Sequence, residues 1–124
     1  MSTRDRFAKA LDDLRDLGIS VYVGLAGSTG VREWDVRDYT FRATCGGFGD
    51  RWAGTHVGSD EHGGARWDGD VLRYRDGGAP VTHLWFAFNH RLPEIGTALA
   101  DTFRTHGFTV EWDGSPGHSV WVML

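Results

Sequence analysis

Cysteine is almost missing from this chain: Cys45 stands alone, so no intrachain disulfide can form and the fold has to rest on its own core. Lysine is equally scarce, with Lys9 the single one among 13 basic residues, and no block of positive charge forms. A formal charge of −4, with both signs mixed along the chain, excludes the phosphate-neutralising surface of a nucleic-acid binder. No apolar run approaches the roughly 18 residues that would read as a membrane span. The opening Met1-Ser2-Thr3-Arg4-Asp5-Arg6 has neither an apolar signal core nor a cleavage site, so the expected location is cytoplasmic. Prolines number only 3, and without a Pro- or Ser-rich linker the 124 residues are expected to form a single domain, 1–124.

The surpluses are tryptophan and glycine, at 6 and 18 residues. Large flat side chains on a glycine-punctuated chain point to short strands and many turns. Phe7, Leu11 and Leu14, with Ala10 and Leu17 beside them, recur at helical spacing; Ser2 or Thr3 is placed to cap the start and Gly18 the end. Ile19 to Leu25 and Tyr39 to Ala43 alternate as strands, a short strand is indicated within Arg51 to Val57, and Asp68-Gly69 signals a hairpin turn before Val71 to Arg75. Thr82 to Phe88 is apolar at nearly every position, as expected of a central strand covered on both faces. Pro93 opens a second helix through Ile95, Leu99 and Phe103, which Gly107 ends. Phe108, Val110 and Trp112, the turn Asp113 to Gly117, and Val120, Val122 and Leu124 form a closing hairpin. The expectation is an α+β domain of order α-β-β-β-β-α-β-β, with a mainly antiparallel sheet of 5–6 strands and two helices on one face.

Chemistry-bearing patterns are few. Gly24 to Gly30 follows a strand as a phosphate loop would, but it has no P-loop lysine and no evident helix after it. His56, Asp60, Glu61 and His62 crowd one loop; His56, Asp60 and His62 are the metal-ligand candidates, with His83 or Cys45 as a distant third donor, at a spacing that matches no tight motif. Cys45 beside Gly46-Gly47 lacks any nucleophile signature, and no Gly-x-Ser-x-Gly elbow surrounds Ser28, Ser59, Ser115 or Ser119. No cofactor is expected. Trp85, Trp112 and Trp121 lie in strands and read as core. Trp34, Trp52 and Trp67 lie in or beside glycine-rich, charged segments; if exposed, they and neighbouring Arg51 and Arg66 are the partner-binding candidates.

Leu84-Trp85-Phe86-Ala87-Phe88, Glu94-Ile95-Gly96 and Val110-Glu111-Trp112-Asp113-Gly114 together carry a resemblance. Over this C-terminal third the chain resembles an uncharacterised actinobacterial family, a domain of unknown function in which an Ile-Gly helix leads to a Val-x-Trp-Asp-Gly hairpin. The arginine bias suits such a GC-rich source or its phage. Members of that family tend to carry several cysteines in the first half, where this chain has Cys45 only. The resemblance implies a fold and no activity. The function expected first is therefore a non-enzymatic protein-binding or regulatory module, immunity-like or concerned with phage–host interaction, that uses loop aromatics. The alternatives are a small metal-dependent hydrolase using the His56–His62 loop, or a small-ligand or nucleotide-binding domain contacting Arg73, Arg75 and Gly24 to Gly30. A homodimer through an open aromatic edge of the two terminal strands is a further expectation.

Overall fold

The computed structural model describes residues 1–23, 50–55, 65–75 and 77–124. The first helix, α1, spans Thr3–Asp16, and its apolar stripe of Phe7, Ala10, Leu11 and Leu14 is buried. Ser2 is its N-cap, the hydroxyl accepting from the Asp5 N–H at 3.1 Å, and Gly18 follows its end at φ 80°, where a side chain would be strained. Strands β1 (Ser20–Val23) and β2 (Trp52–Thr55) pair in parallel. A hairpin of β3 (Ala65–Asp68) and β4 (Val71–Tyr74) turns at Gly69, with φ 59°, and forms a separate two-stranded sheet. Then come β5 (His83–Phe88), helix α2 (Pro93–Thr105), β6 (Thr109–Glu111) and β7 (Val120–Met123).

Among the described residues the main sheet has five strands in the order β1-β2-β5-β7-β6, antiparallel except for the first pair. Helices α1 and α2 pack on one face of it and on each other. This is the α+β class expected, and the succession of a helix, a run of strands, a second helix and two closing strands holds. β5 is the central strand, as its sequence indicated. The strand expected at Tyr39 to Ala43 lies outside the described residues.

Between sheet and helices, Leu84, Phe86 and Phe88 of β5 and Val120 and Val122 of β7 meet Ile95, Leu99 and Phe103 of α2 and Phe7 of α1. Phe103 is the hub, its ring centroid 5.7 Å from Phe7, 5.2 Å from Phe86 and 5.8 Å from Phe108. Gly96 lets α2 approach the sheet closely: a Cβ there would stand 2.6 Å from the Trp112 ring and 2.7 Å from that of Phe88. Ile95-Gly96 and Trp112-Asp113-Gly114 are thus two sides of one packing contact. That is a physical reason for them to occur together.

Among the described residues, each outer strand of the sheet has one carbonyl held by an arginine. Arg15 from α1 donates to the Val21 carbonyl of β1 at 2.9 Å, and Arg104 from α2 donates to the Val110 carbonyl of β6 at 3.3 Å. Of the two terminal strands, β7 is paired on both sides and β6 lies at the end of the sheet among the described residues, its Thr109, Val110 and Glu111 carrying no aromatic ring. The aromatic surface lies elsewhere.

Candidate functional site

Alternation along β5 sends Leu84, Phe86 and Phe88 toward the helices and His83, Trp85 and Ala87 to the other side. Antiparallel register puts Trp85 opposite Trp121 and His83 opposite Met123, and continues to Glu111 and Thr109 on β6. The side of the sheet away from the helices therefore carries His83, Trp85, Trp121 and Met123 with an acidic border. Trp85 is 49% exposed and Trp121 39%. This corrects the reading of β5 as covered on both faces, and of Trp85 and Trp121 as core. Of the three tryptophans that the sequence reads as strand and core, Trp112 alone packs against the core, just past the end of β6, its indole N–H donating to the Ser115 and His118 carbonyls, both at 3.1 Å.

The exposed rings are ordered against one another. His83 stacks on Trp121 with centroids 5.0 Å apart and planes 7° from parallel, and on Trp85 at 5.9 Å; the two indoles are 5.3 Å apart. Cross-strand aromatic contacts of this kind stabilise a sheet by up to about 1 kcal/mol per pair, and they hold the surface rigid at little cost in side-chain entropy on binding. Thr82 shares a 3.0 Å hydrogen bond with His83 Nδ1, which fixes the imidazole from its other side.

The face is not open throughout. Register puts Gly54 beside Ala87, so Trp52 and Gly54 of β2 lie on the same side as the aromatic array, yet both are buried. The open region is confined to β5, β7 and β6.

Between β6 and β7 a braced loop borders the array. Asp113 Oδ1 accepts from the Ser115 N–H at 2.8 Å, Oδ2 lies 2.6 Å from His118 Nδ1, and the Ser115 hydroxyl accepts from the Gly117 N–H at 3.2 Å. The Ser115 N–H, and after it His118, hold the Asp113 carboxyl below its ordinary range. Between this loop, Glu111 and Trp121 lies a cleft of about 310 Å³. An Asp–His pair is the geometry that orients a general base, but among the described residues no hydroxyl hydrogen-bonds to His118 Nε2. Here the pair braces a turn.

The residues singled out in the sequence fall as follows. Trp52 belongs to β2 and is only 4% exposed, its indole N–H finding no acceptor among the described residues. Trp67 belongs to β3 and packs against Phe7 at 5.9 Å. Neither is displayed on a loop. Arg51 is occupied at the end of α1, donating to the Leu17 carbonyl at 3.2 Å and lying 3.9 Å from Glu94, while Arg66 is exposed on the hairpin opposite Arg73. Arg73 is itself engaged by Asp68 at 3.1 Å and by the Gly78 carbonyl at 3.1 Å. Trp34, Cys45, His56, Asp60, Glu61, His62 and the Gly24 to Gly30 loop lie outside the described residues. Among the described residues no group of three His, Cys, Asp or Glu side chains is arranged to hold a metal, and no helix is long and apolar enough to cross a membrane.

No protein-family model matches the chain, and searches of curated proteins and of solved structures likewise find no match.

Proposed function

We propose that this domain is a non-enzymatic protein-binding module whose contact surface is the open side of the sheet over β5 and β7, centred on Trp85 and Trp121. The observation that carries the reading is the exposure of two ordered tryptophans on a sheet whose opposite face already supplies a complete core. A fold of this size gains nothing from wetting indole rings, whereas interfaces concentrate rigid aromatic anchors at their centres. The acidic border and the mixed-sign surface leave nucleic acid disfavoured. The idea of an aromatic-anchored partner thus moves from the loops to the sheet. A cytoplasmic protein of regulatory, immunity-like or phage–host type remains the setting that fits it.

The test compares the wild type with Trp85→Ala/Trp121→Ala, immobilised at equal density and offered the native host extract. The reading requires a partner that the wild type retains and the folded double variant loses by tenfold or more, since two hot-spot indoles are together worth upward of about 3 kcal/mol. A control variant, Tyr74→Ala on the β3–β4 hairpin, should retain it. Equal retention by wild type and double variant would refute the proposal.

A further inference from the structure

Resting on that reading, we infer that the partner presents an arginine side chain, which enters the cleft between Trp121, Glu111 and the Asp113–His118 loop. The cleft is lined by Glu111, Trp112, Asp113, His118, Ser119 and Trp121, and by neither His83 nor Trp85. It therefore opens on the side of Trp121 away from the stacked rings and continues the aromatic surface. Its carboxylates are Glu111 and Asp113, and its one basic group, His118, is engaged by Asp113 Oδ2 at 2.6 Å. Glu111 lies directly opposite Trp121 in the β6–β7 register, is exposed, and makes no ion pair among the described residues. Asp113 is held ionised by the Ser115 N–H and His118. No lysine or arginine lines the cleft.

An indole face next to a carboxylate attracts a cation twice, through the ring quadrupole and through the charge. Guanidinium matches the arrangement better than ammonium, because it is planar, lies flat on an indole and offers a paired set of N–H donors to one carboxylate. At about 310 Å³ the cleft is at the low end of ligand pockets, the scale of one side chain and not of a cofactor. Arg104 shows what the site is not: its guanidinium is committed to the Val110 carbonyl, so Glu111 is not already answered from within the chain by that residue.

The probe is the peptide acetyl-Ala-Arg-Ala-amide, titrated into isotopically labelled full-length protein and followed by amide and indole N–H resonances. The control is the same peptide with citrulline, which keeps the shape and removes the charge. The expected result is a saturable shift of the Trp121 indole and Glu111 amide, about tenfold weaker with citrulline and about tenfold weaker for Glu111→Gln, and declining with added salt. Absence of a saturable shift at these two residues, or equal binding of the citrulline peptide, would overturn the arginine assignment. If that happened while a host protein still required Trp85 and Trp121, the sheet-face reading would stand without it. Loss of both would remove the surface itself.

Discussion

Gly96→Ala puts the packing of α2 on the sheet to a quantitative test. In an exposed helix, replacing glycine by alanine gains about 1 kcal/mol of helix propensity. Here the added Cβ would stand 2.6 Å from Trp112 Cζ2, 2.7 Å from its Cη2 and 2.7 Å from Phe88 Cζ. Neither ring can withdraw. Trp112 is pinned by its indole N–H between two carbonyls, and Phe88 meets it edge-on at 5.9 Å with 83° between the planes. Overpacking against rigid rings costs about 1–3 kcal/mol, and contacts this short belong at the upper end, so the net change is a destabilisation of about 1–2 kcal/mol. For a chain of this length that lowers the melting temperature by about 5–10 °C, measurable by circular dichroism. In a Trp112→Ala background one of the two obstacles is gone, and the same substitution should be relieved by about 1 kcal/mol in a double-mutant cycle. An unchanged or higher melting temperature for Gly96→Ala would refute the close approach of helix and hairpin.

Other expectations concern the tryptophans and one carboxylate. Trp85→Ala and Trp121→Ala should each cost only about 1–2 kcal/mol in urea unfolding, because each indole is substantially exposed, whereas Trp112→Ala should cost about 3–5 kcal/mol. Trp52→Phe should stay within about 1 kcal/mol of wild type, since the cavity it leaves is offset by removing a buried, unpartnered N–H, while Trp52→Ala should be as costly as Trp112→Ala. The Arg4 N–H donates to Asp70 Oδ1 at 2.9 Å, tying the β3–β4 turn to the start of α1 and, with the Thr3 N–H, lowering the Asp70 carboxyl below its ordinary 3.8. A folded-state value below the unfolded one adds stability that is complete above the unfolded value and disappears as pH falls through the folded one. Unfolding of Asp70→Asn across a series below about pH 4 should therefore show a shallower acid loss than wild type. Parallel profiles would remove Asp70 from the account.

Most of the architecture could be read in the sequence because local signals agreed with one another. Ser2 and Gly18 bracket the stripe of Phe7, Leu11 and Leu14; Pro93 and Gly107 bracket Ile95, Leu99 and Phe103; both helices form within a residue or two of those bounds. Two of the six tryptophans, Trp85 and Trp121, read as core in the sequence and lie exposed in the structure, and β5 shows why. Its outward positions, His83, Trp85 and Ala87, include residues as apolar as the inward Leu84, Phe86 and Phe88, so its period-2 pattern is hidden. A signal was nevertheless present one strand away. On β6 only Val110 is apolar between Thr109 and Glu111, and pairing Glu111 with Trp121 places that indole, and Trp85 opposite it, on the wet side. Trp52 falls in the short strand indicated within Arg51 to Val57, but the glycine-rich, charged residues around it give no sign of burial; a glycine within a strand permits close approach of another segment, and both Trp52 and Gly54 are buried. In the sequence Asp113-Gly114 shows turn chemistry alone; its link to His118 and the cleft beside Glu111 depend on pairing that no local spacing displays.

Contact through the sheet face means that Trp85 and Trp121, and not Trp52, Trp67 or Trp112, meet the partner. It is tested most directly by incorporating 5-fluorotryptophan, assigning the six resonances by single Trp→Phe substitutions, and recording fluorine spectra in native host extract and in albumin at matched protein concentration. Selective broadening or shift of the Trp85 and Trp121 signals in the extract, with those of Trp52, Trp67 and Trp112 unmoved, is the result predicted. Spectra identical in the two media, or a perturbation confined to the other tryptophans, would contradict it.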